Sequence, residues 1–321
     1  MNEFDLIAHY FARQPVTRAD VALGIGDDAA VLNVPQDQQL VVSTDTLVAG
    51  VHFSESTEAL FIGHKSLAVN LSDMAAMGAT PAWFTLSLSM PQVDTKWLED
   101  FCKGMFALAR QYDIALVGGD TTRGPLTIGI QIMGLVPHGQ ALQRIGARPG
   151  DRVYVTGLLG EAALGLRLLQ QQLKLPEEFR ANVLQQLHRP LARVQVGLDL
   201  RGLASACIDI SDGLVADLGH VLTASKVGAR IELQRLPLSP AYDAAFDQVG
   251  WEAALSGGDD YELCFTIPAE HETAFRKAST RFGVSCSYIG DIEAEPGFRI
   301  LDDKGELYQS VQAGFDHFAA G

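Results

Sequence analysis

Carboxylate side chains recur in this sequence at one kind of place, after an apolar segment and beside a glycine or serine. The segments with this pattern are GIGDD, VVSTDT, VNLSD, ALVGGD, CIDISDG and ALSGGDDYE. Any single aspartate among them is explained as a helix cap or turn residue, because Asp favours both positions. Six segments together indicate ligand binding, since small neighbours let the backbone approach a ligand and open α/β sheets bind ligands at the carboxyl ends of strands.

If these carboxylates converge, they need positive charge from elsewhere. Two unit charges about 4 Å apart repel by roughly 4 kcal/mol at an effective dielectric constant near 20. Oxygen ligands without thiolates suit Mg²⁺, Mn²⁺ or Ca²⁺, and no D-x-D-x-D-G loop of an EF-hand occurs. Mg²⁺ commonly binds through one or two carboxylates together with substrate phosphates. The acids therefore predict a magnesium-dependent site for a phosphate compound.

A stretch without acids follows one of these segments and is a candidate for binding the phosphate. From Thr121 to Gly150 the chain has no Asp or Glu but contains Arg123, Arg144 and Arg148. An arginine there could bind a nucleotide phosphate through two parallel hydrogen bonds. The alternative for Arg144 and Arg148 is that both are solvated loop residues.

The common nucleotide-binding motifs are absent or incomplete. No G-x-x-x-x-G-K-[ST] loop occurs, and the H-R-D and D-F-G segments of protein kinases are missing. The segment 24–29 fits G-x-G-x-x-A, but no clear hydrophobic strand precedes it and two carboxylates would face a pyrophosphate. We therefore do not interpret this segment as a dinucleotide site. His52, after STDTLVAG, is either a ligand or a loop histidine, and His64 is interpreted as structural.

Composition excludes several classes of protein. The 321 residues carry 24 Lys and Arg against 39 Asp and Glu, a net charge of −15, which argues against nucleic acid or an anionic membrane as the main partner. With 47% hydrophobic and 20% charged residues, we expect an ordered globular chain of about two domains. The four cysteines are far apart, and the N-terminus lacks the basic residues of a signal peptide. We expect a cytoplasmic protein without a membrane span.

Helical and strand patterns alternate along the whole chain. Helices are predicted at about 2–13, 57–78, 95–111 and 270–282, with further helices after Gly160 and after SDGL. Strands are predicted at QLVVSTDT, WFTLSLSM, IALVGG, LTIGIQIMGLV, RVYVTG, ACIDI, ARIEL and YELCFTI. A turn-rich stretch, PHGQALQRIGARPGDR, separates two α/β halves, and we place the domains at 1–147 and 148–321.

An ordered set of motifs resembles the thiamine-monophosphate kinase family. The set is GIGDDAAV, STDTLVAGVHF, KSLAVNLSDMAAMGATP, GGDTTRGP, GARPGDRVYVTG, IDISDGL and SGGDDYELCF. Each motif is weak alone, but seven in order are specific, and they cover nearly the whole chain. The family is part of a superfamily with aminoimidazole ribonucleotide synthetase, selenophosphate synthetase and a hydrogenase maturation protein.

The resemblance implies a fold and a reaction. The fold is a two-domain, aminoimidazole ribonucleotide synthetase-like α/β (α+β) fold whose N-terminal sheet joins that of a second copy, so a homodimer is expected. The reaction is transfer of the γ-phosphate of ATP to thiamine monophosphate, which yields thiamine diphosphate and ADP with several Mg²⁺ ions. Because the acceptor is already an oxyanion, no catalytic base is expected and the transfer is direct and in line.

The resemblance also implies roles for particular residues. The implied metal ligands are Asp28, Ser43, Thr44, Asp45, Asp73, Asp120, Asp209 and Asp212. The implied ATP contacts are Gly119, Asp120, Arg144 and Ser211, and the implied substrate contacts are His52, Asp259 and Phe315. Two positions depart from the family pattern: Asp259 stands where Glu is usual, and Phe315 where Tyr or Trp is frequent.

Two alternatives stay open at this point. One is another superfamily activity that uses ATP on an amidine or a selenide, although a selenide enzyme normally presents a reactive cysteine near its N-terminus and the first cysteine here is Cys102. The other is an acidic scaffold that binds divalent cations without turnover. The scaffold predicts metal-dependent stabilisation without phosphate transfer, whereas either enzyme consumes ATP.

Overall fold

The chain folds into two units. The computed structural model describes residues 3–13 and 17–309. The first unit comprises Met1–Met74 and Ala79–Gly139, and the second comprises Ala75–Gly78 and Gln140–Gly321. The division after Gly139 lies in the turn-rich stretch identified in the sequence.

In the described residues up to Pro137, the chain forms three helices, a π-helical turn and six strands. From the N-terminus to Pro137 these are α1 (Glu3–Leu6), the π turn (Ile7–Phe11), β1 (Val21–Leu23), β2 (Val31–Leu32), β3 (Gln38–Val48), α2 (Ala59–Ala76), β4 (Thr80–Met90), α3 (Thr95–Gln111), β5 (Ala115–Arg123) and β6 (Thr127–Pro137). The sequence predicted one helix at about 2–13; the structure instead changes to the wider π turn, where the adjacent side chains Tyr10 and Phe11 are both buried.

A four-stranded sheet in the order β3-β6-β4-β5 forms the centre of the first unit. Only β4 and β5 are parallel; the other pairs are antiparallel. Helix α2 is buried on nearly all sides, and its buried residues include the polar His64, Lys65, Ser66, Asn70 and Ser72. It packs closely on α3 because both contribute a glycine: a Cβ on Gly63 or Gly104 would lie 2.0 Å from a carbonyl oxygen of the other helix.

One face of this sheet is largely exposed and lined by small polar side chains. The residues that line it are Thr44, Thr46, Thr85, Ser87, Ser89, Thr127, Gly129 and Gln131. Leu40 and Val42 alternate onto the same face of β3 and are 46% and 50% exposed. At the other end of the sheet, Trp83 and Met133 pack against the β1–β2 hairpin. The exposed area, which we call the open sheet face, is defined by these seven polar residues and Gly129, together with Leu40 and Val42.

The second unit is built on a six-stranded sheet in the order β12-β9-β11-β7-β10-β8. Its elements are β7 (Arg152–Thr156), α4 (Glu161–Leu169), α5 (Glu177–His188), α6 (Val194–Leu200), β8 (Ala206–Ile210), α7 (Leu214–Ser225), β9 (Gly228–Glu232), α8 (Pro240–Val249), α9 (Glu252–Ser256), β10 (Glu262–Ile267), α10 (Glu272–Ser279), β11 (Cys286–Glu293) and β12 (Gly297–Leu301), with short 3₁₀ turns at Leu233–Arg235 and Ala269–His271. Only β12 and β9 pair in parallel. The core contains Val153, Ile208, Leu218 and Tyr242.

The predicted acids lie at different places in the fold from those expected. Alternating helices and strands suggested acids at the carboxyl ends of neighbouring strands, but Asp45, Asp120 and Asp209 lie inside β3, β5 and β8, and Asp73 lies inside α2. Their grouping therefore depends on which face of an element they occupy. In residues 3–13 and 17–309, no helix is both long and apolar enough to cross a membrane.

Candidate functional site

Strand β3 and helix α2 bring two predicted metal ligands together. The hydroxyl Oγ of Ser43 donates a hydrogen bond of 2.5 Å to Oδ2 of Asp73. Asp45 is two residues after Ser43 and so lies on the same face of β3, toward α2. The three side chains form one group of oxygen atoms in the first unit, which we call the Asp45–Asp73 cluster.

The electrostatics of this cluster favour an added cation. Burial, followed by the charge and hydrogen bonding of the neighbouring Asp73, raises the pKa of Asp45 to about 7. Two half-buried carboxylates with a hydroxyl offer the all-oxygen set that Mg²⁺ prefers, and Mg²⁺ typically takes its remaining ligands from water and substrate phosphates. Among the described residues no group of three or more His, Cys, Asp or Glu is arranged to hold a metal by itself. The cluster thus fits a cation that is also bound by a phosphate ligand.

Gly119 and Asp120 lie on the far strand of the same sheet. The row that starts at Asp45 runs through Ile130 and Leu86 to Gly119, three strand spacings or roughly 14 Å away. Asp120 pairs with Ser87 on the open sheet face, which is the face opposite the Asp45–Asp73 cluster. The first unit therefore does not bring Asp120 to Asp45.

Gly119 needs to be a glycine at this position. Its φ is +154°, and a Cβ there would lie 2.0 Å from the carbonyl oxygen of Leu86. The missing side chain lets β5 approach β4 closely here, and both Gly119 and Asp120 are exposed.

The other predicted residues of the first unit lie in turns or on the open sheet face. Asp28 is exposed between β1 and β2, and its backbone N–H donates to Oδ1 of Asp27 at 2.8 Å. Thr44 is on the open sheet face, opposite Ser43. His52 is half-buried in the turn after β3, where its Nδ1 accepts a 3.0 Å hydrogen bond from the backbone N–H of Val48.

In the second unit, one carboxylate organises the loop that follows β8. Oδ2 of Asp217 accepts hydrogen bonds from the backbone N–H groups of Ser211, Asp212 and Gly213, at 2.9, 3.0 and 3.2 Å. Burial raises the pKa of Asp217 to about 6 in spite of these bonds. Asp217 thereby fixes the backbone that carries Ser211 and Asp212, directly after the buried Asp209.

The loop before β10 is hydrogen-bonded to this first loop. The N–H of Asp259 donates to the carbonyl of Ser211 at 2.9 Å, and the N–H of Tyr261 donates to that of Ile210 at 2.8 Å. Asp259 and Tyr261 both have positive φ, 71° and 50°, and the Tyr261 hydroxyl donates to Oδ1 of Asp259 at 3.0 Å. The second unit therefore brings Asp209, Ser211, Asp212 and Asp259 into one region.

A cavity of about 240 Å³ lies beside Asp259, and its lining includes four acidic residues and Arg193. Nε of Arg193 donates to Oε2 of Glu262 at 2.6 Å, and the hydroxyl of Thr156 donates to the same oxygen at 2.5 Å. Burial raises the pKa of Asp260 well above its usual range, and its carboxyl oxygens accept from the N–H of Gly160 at 2.8 and 3.0 Å. These bonds fix the loop that presents Asp259.

The last two predicted site residues are Arg144 and Phe315. Arg144 is exposed, and its carbonyl accepts a hydrogen bond of 3.3 Å from the hydroxyl of Ser225. Phe315 lies outside the described residues.

Comparison with known proteins shows similarity over the whole chain. The family model for the AIR synthase related protein, N-terminal domain, matches residues 26–136, and that for the C-terminal domain matches residues 148–303. The thiamine-monophosphate kinase of Salmonella typhimurium is 50% identical over 322 residues, which cover 99% of this chain and 98% of that protein. The chain belongs to the thiamine-monophosphate kinase family.

Solved structures of this family have the same fold. The thiamine-monophosphate kinase from Stenotrophomonas maltophilia is 46% identical, with a TM-score of 0.87 over 96% of this chain and 98% of that chain. AaThiL complexed with AMPPCP and TMP is 33% identical, with a TM-score of 0.78 over 92% of each chain. The resemblance and the two-domain α/β fold inferred from the sequence are both confirmed.

Sequence reasoning missed three residues that hold the family motifs in place, namely Asp217, Arg193 and Glu262. For Asp217 a signal was available, because an acid in the first turn of a helix commonly binds exposed backbone N–H groups. For the pair Arg193 and Glu262 no local signal exists, since the two residues are 69 positions apart. The assigned ligand roles of the motif residues stay predictions.

Proposed function

We propose that this protein is a thiamine-monophosphate kinase that transfers the γ-phosphate of ATP to thiamine monophosphate. The observation that carries the proposal is similarity, over 92% of each chain, to AaThiL, whose complex contains the ATP analogue AMPPCP together with TMP. The products are thiamine diphosphate and ADP, and the proposal includes a cytoplasmic location, where ATP is supplied.

The chemistry of the phosphate acceptor determines which groups the transfer requires. A phosphate monoester offers an oxyanion, so the side chains need to position two anionic reactants in line and offset their charge, and no side chain needs to remove a proton. We propose direct transfer without a phosphorylated enzyme. ADP–ATP isotope exchange with ATP alone would contradict direct transfer.

The Asp45–Asp73 cluster is the proposed site of one Mg²⁺ ion in the first unit. Asp28, Thr44 and Asp120 are proposed ligands of further Mg²⁺ ions, since Thr44 and Asp120 lie on the opposite face of the sheet. When bound, Mg²⁺ neutralises and orients phosphate groups. Ser43 holds the carboxylate of Asp73 through the 2.5 Å hydrogen bond, which leaves the other lone pairs of that carboxylate available as acceptors. Gly119, which is exposed beside Asp120, is a proposed backbone contact for ATP.

The second unit supplies the remaining proposed contacts. Asp209 and Asp212 are metal ligands, and Ser211 and Arg144 contact ATP. Asp217 supports this assignment because it holds the backbone of Ser211 and Asp212 in one conformation.

Asp259 is suited to the cationic thiazolium of the substrate, because Tyr261 and two backbone hydrogen bonds fix its position. Phe315 would add a stacking surface for the same cation.

The open sheet face supports the proposal of a homodimer. A sheet that leaves exposed polar groups and apolar side chains such as Leu40 and Val42 on one face is suited to packing against a second copy. We expect Thr46→Arg to yield monomers in light scattering after size-exclusion chromatography, whereas Asp37→Arg, at an exposed position outside this face, leaves the mass unchanged. A wild-type monomer at micromolar concentration would contradict the dimer.

The proposed activity is tested with purified protein, ATP, Mg²⁺ and thiamine monophosphate. Thiamine diphosphate is measured by fluorescence after oxidation, and ADP is measured in parallel. Equal amounts of the two products support the proposal. ATP binding without thiamine diphosphate would favour a different activity of the superfamily.

A further inference from the structure

The turn between β3 and α2 is closed by several backbone hydrogen bonds. The N–H of His52 donates to the carbonyl of Val48 at 3.0 Å, and the N–H of Gly50 donates to that of Phe53 at 2.8 Å. The N–H of Ala49 donates to the carbonyl of Leu126 at 3.1 Å, which ties the turn to the start of β6. The backbone of this turn is therefore held in one conformation, with His52 at its end.

A hydrogen bond within the turn determines the tautomer of His52. The backbone N–H of Val48 can only donate, so Nδ1 of His52, 3.0 Å away, is the acceptor and carries no hydrogen. The neutral ring then carries its hydrogen on Nε2, which makes Nε2 a hydrogen-bond donor. A donor of this kind suits a phosphate oxygen, which only accepts.

Lys65 holds the other side of His52. It lies in α2, is 4% exposed, and its Nζ donates to the carbonyl oxygen of His52 at 3.5 Å. A buried ammonium group is costly unless its environment supplies acceptors. The buried ammonium group of Lys65 has the backbone carbonyl of His52, a predicted substrate-binding residue, among its acceptors.

We propose that Lys65 is a positioning residue for His52, and that His52 donates from Nε2 to the phosphate monoester of the substrate. Lys65 holds the His52 carbonyl and Val48 holds the imidazole, so that the ring reaches the substrate in one tautomer and one orientation. The substrate assignment rests on the proposed function. The tautomer and the contact with Lys65 do not.

The kinetic test compares Lys65→Met in two backgrounds. In the otherwise wild-type enzyme we expect Lys65→Met to raise KM for thiamine monophosphate about tenfold and to leave KM for ATP unchanged. The reason is that a less well positioned His52 makes a weaker hydrogen bond to the charged phosphate of the substrate. In the His52→Ala background the same change should alter KM less than twofold, because its effect passes through His52. An equal effect in both backgrounds would overturn the proposal.

The matched control is Lys103→Met, an exposed lysine on α3 of the same unit, which should leave both KM values unchanged. If Lys65→Met fails to fold, the wild-type protein still provides a test through NMR of ¹⁵N-labelled histidine rings. We expect His52 to show a hydrogen on Nε2 and a bare Nδ1; the opposite tautomer would overturn the proposal.

Failure of the proposed function is distinguishable from failure of this inference. If the wild-type protein has no kinase activity but His52 carries its hydrogen on Nε2, the proposed function is rejected. The hydrogen bonds that this structure shows in the turn would still be supported. Kinase activity with a normal KM in a folded Lys65→Met variant would reject only the role of Lys65.

Discussion

The two units hold their acidic side chains in different ways. In the first unit, Asp45 and Asp73 are neighbours, and the charge of Asp73 adds to burial in raising the pKa of Asp45. In the second unit, Glu262 is paired with Arg193, and Asp217 accepts three backbone N–H groups. Burial of an acid therefore does not by itself indicate a ligand site. The chain compensates Glu262 and Asp217 itself, whereas for the Asp45–Asp73 cluster we propose that a bound cation relieves the repulsion.

The largest expected effect comes from Asp45→Asn, which keeps the shape of the cluster and removes one charge. We expect turnover to fall at least about a thousandfold, because electrostatic stabilisation of the transferred phosphate is lost. Stabilisation of the folded protein by Mg²⁺, measured as a shift in Tm, should also disappear. The exposed control Asp37→Asn should retain both properties. Near-normal turnover at saturating Mg²⁺ would remove Asp45 from the metal site.

Arg193→Met tests the opposite case, an acid compensated by the chain. The change leaves the buried carboxylate of Glu262 without its guanidinium partner, which typically costs about 3–5 kcal/mol of unfolding free energy. Urea unfolding measures the loss, and adding Glu262→Gln should recover part of it. The control Arg180→Met removes an exposed ion pair and should cost under about 1 kcal/mol. A similarly small loss for Arg193→Met would show that this pair does not hold the loop.

Asp217→Ala removes the acceptor of three backbone N–H groups. We expect a loss of about 2 kcal/mol of unfolding free energy, since these donors lose a charged acceptor in a partly buried loop. The loss should be the same with and without Mg²⁺, unlike the effect of Asp45→Asn. Urea unfolding at both metal concentrations measures it, with the exposed Asp243→Ala as control. A loss that appears only with Mg²⁺ would place Asp217 among the metal ligands.

The smallest expected effect is the pH-dependent contribution of Asp20. Burial alone would raise the pKa of its carboxyl, but hydrogen bonds from Arg18 and Trp83 outweigh burial and hold the pKa below its usual value of 3.8. The folded state therefore binds this proton less tightly than the unfolded state. The stabilisation is present above pH 3.8 and is lost as the pH falls through the lower folded value.

The variant Asp20→Asn should therefore cost about 1 kcal/mol near pH 7. The difference from wild type, measured by urea unfolding over a pH series, should shrink below about pH 4. A difference that is constant over the series would mean that the charge of Asp20 is not what stabilises the fold.

Local patterns predicted the parts of this protein that local physics fixes. The apolar periodicity of α2 and α3 predicted both helices, and Asp94 caps α3 by accepting a hydrogen bond from the N–H of Trp97. The π turn near Tyr10 was not predicted, because the periodicity of a short apolar stretch is compatible with a regular helix. The pairing of Thr156 with Glu262 joins residues 106 positions apart, and no local pattern encodes it.

The sequence alone determined the family, the alternation of helices and strands, and the acids that are candidate ligands, because motifs and periodicity are local properties. Only the tertiary structure decided which of those acids meet. Asp45 faces Asp73 because Ser43 and Asp45 share a face of β3, while Asp120 lies on the opposite face of the sheet. The physical reason is that adjacent strand residues point to opposite faces, while strand order and register are set by hydrogen bonds between distant segments.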